Sequence, residues 1–171
     1  DLSYNDLGYN LENMKTLRES LKDNDSIKYL DLSGNNLGLH PQNIKKLTEL
    51  IRENNSLKKL GISDNNLGSN IEHMNNFIEV IKNNKSIVRL ELSVNRLGIN
   101  PEIMKILSEG LKENNTISYL DLSANYLYND PENMIMLAQL LKENNNYRNK
   151  IIPQYLPTKN SKSAVTRRNP N

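Results

Sequence analysis

Apolar positions along the chain fall into two alternating spacings. In residues 26–38 they stand at Ile27, Leu30, Leu32 and Leu37, and the arrangement returns at 56–68, 86–98 and 116–128. Leu30 and Leu32, with polar residues between and beside them, have the two-residue spacing of a strand that buries one face. Between these segments the steps lengthen to three and four residues. Ile44, Leu47, Leu50 and Ile51, or Met104, Ile106, Leu107 and Leu111, mark one side of an amphipathic helix. Each unit is therefore one short strand and one helix, and its length is fixed: Asn5, Asn35, Asn65, Asn95 and Asn125 fall 30 residues apart without a slip.

A repeat of this length denotes a stacked solenoid, because one such unit cannot bury its own apolar face. Successive strands are expected to form one parallel sheet, joined by right-handed crossovers through the helices. The Asn35-type column falls where the chain leaves the strand. Its side chains are expected to satisfy buried backbone groups of their own loop and of the next repeat, as a stacked ladder. Gly8, Gly38, Gly68 and Gly98 follow three residues later, where a positive φ is expected. Tyr128 takes the glycine place in the last copy and predicts a modified final turn.

Helix starts are marked by His40, Asn70, Asn100 and Asp130 at the N-cap and by Pro41, Pro101 and Pro131 at the first helical position. Glu72, Glu102 and Glu132 stand in the first turn. The pairs Asn54-Asn55, Asn83-Asn84 and Asn114-Asn115 are expected to end helices in the left-handed conformation.

The motif L-x-x-L-x-L-x-x-N-x-L-G, seen at Ile27, Leu30, Leu32, Asn35, Leu37 and Gly38, resembles the leucine-rich repeat. The helical second half of each unit resembles its ribonuclease-inhibitor-like class. The resemblance implies an α/β leucine-rich-repeat solenoid, a horseshoe arc with a parallel concave sheet and outer α-helices. It covers residues 1–145, one partial repeat followed by four full units. The near-identical copies also resemble leucine-rich-repeat proteins of intracellular bacteria, which would place the protein in the cytoplasm or in a host cell after delivery.

Composition narrows the chemistry. The 171 residues include no cysteine, so disulfides, thiolate metal sites and cysteine nucleophiles are excluded. His40 and His73 fall in different repeats without metal-ligand spacing, and the column Ser33, Ser63, Ser93, Ser123 has no histidine to act as base. The seven glycines are dispersed by the repeat and form no phosphate loop. Neither catalysis, nor a cofactor, nor a small-molecule substrate is expected. No apolar run is long enough to span a membrane. The sequons at Asn24, Asn54, Asn84 and Asn114 recur with the period, which marks them as parts of the repeat rather than glycosylation sites.

What varies between copies is the outward face of the strands. Tyr29, Lys59, Arg89 and Tyr119 form one column and Asp1, Asp31, Gly61, Glu91 and Asp121 a second. A third holds Asp6, Asn36, Asn66, Arg96 and Tyr126. Core positions barely change while these change charge and size, and strands about 4.8 Å apart would merge them into one patch. Tyrosine and arginine bury large area and keep a polar handle, the character of interface hot spots. A protein-binding surface is thus expected at Tyr29, Asp31, Lys59, Arg89, Glu91, Arg96, Tyr119, Asp121 and Tyr126. Alternatives implied by the resemblance are a GTPase regulator of the Ran GTPase-activating type and the recognition part of a larger enzyme or effector.

The two ends depart from the repeat. The chain opens inside a strand motif, so further sequence upstream is expected. Lys150 and Pro153 break the motif in a sixth copy, and residues 146–156 are expected to form a degenerate cap, followed by a disordered basic tail at 157–171. From residue 147 onward there are six basic side chains and no acidic one, which leaves 16 basic against 20 acidic before it. The tail has no aromatic platform, which argues against a nucleic-acid role.

Overall fold

The computed structural model describes residues 1–143. The cap and tail expected at 146–156 and 157–171 lie outside the described residues. Four strands, β1 (Tyr29–Asp31), β2 (Lys59–Gly61), β3 (Arg89–Glu91) and β4 (Tyr119–Asp121), pair in parallel in the order of the chain. Their register is one full repeat per strand, with Tyr29 opposite Lys59, Lys59 opposite Arg89 and Arg89 opposite Tyr119. The partial first repeat continues the ladder: the N–H of Leu2 donates to the carbonyl of Asp31 at 2.9 Å.

Five helices form the second layer, α1 (Leu11–Leu21), α2 (Pro41–Glu53), α3 (Ile71–Asn83), α4 (Pro101–Glu113) and α5 (Pro131–Glu143), each entered through a three-residue 3₁₀ turn such as Leu37–Leu39. The core lies between the layers. Leu30, Leu60, Leu90 and Leu120 project into it from the strands, and Leu47, Phe77, Leu107 and Leu137 from the helices. Fully burying each of these side chains stabilises the fold by about 1.5–3 kcal/mol. Adjacent strands stand about 4.8 Å apart and packed helices about 8–10 Å, so the sheet lines the inner, concave side.

The asparagine ladder is present, with its direction reversed from the expectation. The Asn35 side chain accepts from the N–H groups of Asn5 (3.0 Å) and Leu7 (3.1 Å), and its amide donates to Leu2 O (2.8 Å) and Ser33 O (3.2 Å). Each asparagine thus serves its own loop and the preceding repeat, and Asn65, Asn95 and Asn125 do the same.

Three local expectations are corrected. Gly38, Gly68 and their equivalents do not have positive φ; they are required by close approach, since a Cβ on Gly38 would lie 2.5 Å from Asn66 O and one on Gly68 2.5 Å from Arg96 O. Tyr128 leaves the backbone of its turn unchanged: Leu127–Asn129 is again a 3₁₀ turn preceded by a left-handed residue, and the ring is exposed. The Asn-Asn pairs are not left-handed caps. Asn54, Asn84 and Asn114 are extended and largely buried, and the Asn54 amide donates to Leu21 O (2.7 Å) and Asn24 O (2.8 Å) of the repeat before. At the helix starts, Asn70, Asn100 and Asp130 cap with their side chains, while His40 makes no such bond.

Candidate functional site

The outward face of the sheet carries a connected set of side chains. Tyr29 Oη donates to Asp31 Oδ2 at 2.6 Å, and the ammonium of Lys59 lies 4.1 Å from the centre of the Tyr29 ring. Lys59 reaches across to Glu91 at 3.1 Å, Arg89 Nε donates to the same carboxylate at 2.7 Å, and the Arg89 guanidinium stacks 3.7 Å from the centre of Tyr119. Parallel register brings these side chains together. Side chains two residues apart on a strand share a face, and those one repeat apart are strand neighbours.

Gly61 forms the floor of the set. A Cβ there would come within 2.7 Å of Asp31 Oδ1, so a larger residue between Asp31 and Glu91 would displace the Asp31 carboxylate. The electrostatics follow from the contacts. The Tyr29 phenol is pushed up to about 12 by its hydrogen bond to Asp31, with burial adding to the shift. Burial pushes the Asp31 carboxyl upward, but hydrogen bonds from Ser33 and Tyr29 and the charge of Lys59 outweigh it and hold the group below its ordinary value. The charges of Asp31, Lys59, Arg89 and Glu91 are thus balanced internally.

Of the nine residues expected to bind, the structure joins six: Tyr29, Asp31, Lys59, Glu91, Arg89 and Tyr119. Asp121 lies in register with Glu91 but spends one oxygen on the N–H of Ser123 at 2.9 Å. Arg96 and Tyr126 lie beyond the strands, as the left-handed residues that precede the last two 3₁₀ turns, and take no part in the network. Arg96 instead borders a groove of about 560 Å³ with Ile71, Ile99 and Ile103. In the serine column Ser93 Oγ donates to Ser63 Oγ at 2.9 Å, and Ser33 Oγ accepts from the N–H of Ser63 at 3.2 Å.

Two features escape sequence reasoning. One is the internal pairing of the face, which the register alone could have foretold from the alternating signs of Lys59 and Glu91. The other is the rim at the helix N-termini, where Tyr9, Leu39, Ile99 and Tyr128 are exposed.

This architecture is a leucine-rich-repeat solenoid. A family model described as Leucine Rich Repeat matches residues 26–47. Among solved structures, the chain is similar to the actin-binding site 2 region of leiomodin-1, with 16% identity, TM-score 0.61, and coverage of 85% of this chain and 78% of that one. It is similar also to the tropomodulin C-terminal domain from Caenorhabditis elegans, with 17% identity, TM-score 0.62, and coverage of 85% and 83%. No curated protein sequence matches the chain.

Proposed function

We propose that this chain is a non-catalytic protein-interaction module that binds a partner protein through the concave sheet face. The observation that carries the reading is the network from Tyr29 to Tyr119. Two aromatic rings, each held by a cation, stand at either end of a charge-balanced strip. Side chains already fixed by neighbours lose little freedom on docking, so more of their contact energy appears as affinity. Large rings with polar handles are the residues that dominate such interfaces. The acids and bases of the strip neutralise one another instead of activating a nucleophile, and the Ser93 hydroxyl donates to that of Ser63.

The test is affinity capture with mass spectrometry, comparing the full chain with the Tyr29→Ala/Arg89→Ala/Tyr119→Ala variant. Monomeric actin serves as a defined first probe, because the similar leiomodin-1 structure is named for an actin-binding site. Loss of a bound protein in the variant supports the reading, and loss of actin binding would also name the partner. Equal capture by both proteins overturns the assignment to this face.

A further inference from the structure

Every repeat exposes an apolar residue on the rim where the 3₁₀ turns enter the helices. The residues are Tyr9 and Leu11 in the first unit, Leu39 in the second, Ile71 in the third, Ile99 in the fourth and Tyr128 in the last. The position shifts among three neighbouring columns, so that Ile71 supplies what Ser69 does not and Tyr128 what Asn129 does not. Tyr9, Ile99 and Tyr128 are 64%, 58% and 69% exposed, and it is their recurrence in successive repeats, not the exposure of any one, that makes a stripe. Beside this stripe stand the first-turn glutamates Glu72, Glu102 and Glu132, exposed and absent from the ion pairs formed among the described residues. The helix dipole favours a carboxylate there, but it does not account for the apolar side chains alongside.

We propose that the basic C-terminal segment of this same chain, residues 147–171, docks along this rim. Its six cations and no anions complement the glutamate row, and Ile151, Ile152, Tyr155 and Leu156 complement the apolar stripe. On the concave face Asp31 and Glu91 are already engaged by Tyr29, Lys59 and Arg89, which leaves Asp121 as the one acid of β1–β4 outside these contacts, against a row of three glutamates on the rim.

Chain length permits the course. The 13 residues of α5 separate Glu143 from the Tyr128 end of the rim by about 20 Å. An extended chain covers that distance in about six residues. Lys159 and Lys162 can then reach Glu132 and Glu102, since neighbouring helices stand about 8–10 Å apart.

Zero-length carbodiimide coupling of the full chain, followed by peptide mapping, tests the proposal. The expected result is Lys159 or Lys162 joined to Glu132, Glu102 or Glu72 within the monomer, with yield falling several-fold in about 0.5 M salt, where the Debye length is only about 4 Å. The Lys82–Glu113 pair, 3.1 Å apart, reports that coupling worked. Ile99→Ser, at an exposed position, is expected to lower the yield several-fold while leaving the Lys82–Glu113 product unchanged. Coupling of the tail lysines to Asp31, Glu91 or Asp121, their coupling to no rim glutamate, or rim products confined to the dimer would each overturn the proposal. The last result would make a second copy's tail the occupant.

Discussion

Two sets of polar side chains recur every 30 residues, and they are treated oppositely. Asn35, Asn65, Asn95 and Asn125 are the same residue in each copy, are buried, and spend their amides on the backbone. Tyr29, Lys59, Arg89 and Tyr119 occupy one strand column as three residue types, are at least partly exposed, stack cation on ring, and spend their polar groups on Asp31 and Glu91 of the neighbouring column. A buried backbone donor or acceptor has the same geometry in every repeat, so the same side chain solves it each time. A solvent-facing column has no such constraint and is free to be shaped for a partner.

The sharpest way to break this contrast is to remove one member of each set. Asn95 accepts from Asn65 N and Leu67 N and donates to Ile62 O, so Asn95→Ala leaves several buried backbone groups without partners. At about 1–3 kcal/mol per orphaned group, with partial relaxation, a loss of about 3–5 kcal/mol is expected in urea denaturation. The Tyr29/Arg89/Tyr119 alanine variant removes three larger side chains and is expected to cost far less, since exposed ion pairs contribute about 0–1 kcal/mol. Equal destabilisation by the two would show that the face is part of the scaffold.

A third column shows what happens when a rung changes. Asn43 and Asn133 are buried, and their amides donate to Gly8 O and Gly98 O, both at 2.8 Å. His73 stands at the same place in α3, 5% exposed, with neither ring nitrogen bonded. Burial holds its pKa below the ordinary value, although Glu72 pulls the other way. The unfolded chain takes up a proton near pH 6.5 that the folded chain resists. Stability linked to this group is therefore fully present above about pH 6.5 and lost as pH falls through the lower folded value. His73→Asn is expected to add about 1 kcal/mol by restoring the rung and to flatten this acid-side slope, measured as urea midpoints from pH 7 to 5. An unchanged slope would remove His73 as its source.

A smaller effect is expected at Val94, a β-branched residue held at φ 57° where the second repeat has Gly34 at φ 67°. Left-handed backbone is costly for such a residue, and asparagine tolerates it better. Val94→Asn is expected to stabilise by about 0.5–1 kcal/mol in the same assay, and a destabilisation would mean that the valine methyls contribute more than the strain costs.

How far these features could be foreseen depends on the constraint behind them. The sheet order, the helices and the Asn35-type ladder were legible because each is imposed once per repeat and the copies agree. The role of Gly38 was misjudged because a glycine required by close approach and one required by positive φ look identical in sequence. Asn54 hid its ladder behind a sequon for the same reason. The pairing of Lys59 with Glu91 lay within reach, since the register places them on one face. Exposure at Ile99 and Tyr128 was not legible, because an apolar letter in a loop does not disclose whether a neighbouring turn covers it.

The finest test concerns whether the sheet face is held in solution as its contacts indicate. Tyr29 is the reporter, since its phenol sits at about 12 against an ordinary 10.0, chiefly through donation to Asp31. The folded chain keeps this proton more tightly than the unfolded one, so the associated stability is present below about pH 10 and lost as pH rises to about 12. Phenolate absorbance of the full chain minus that of Tyr29→Phe isolates this one titration. Asp31→Asn removes the accepting charge and is expected to bring the midpoint back towards 10.0. A Tyr29 midpoint already at the ordinary value in the unaltered protein would mean that the hydrogen bond does not persist. The proposed docking surface would then have to be ordered by a partner, and its affinity would carry that entropic cost.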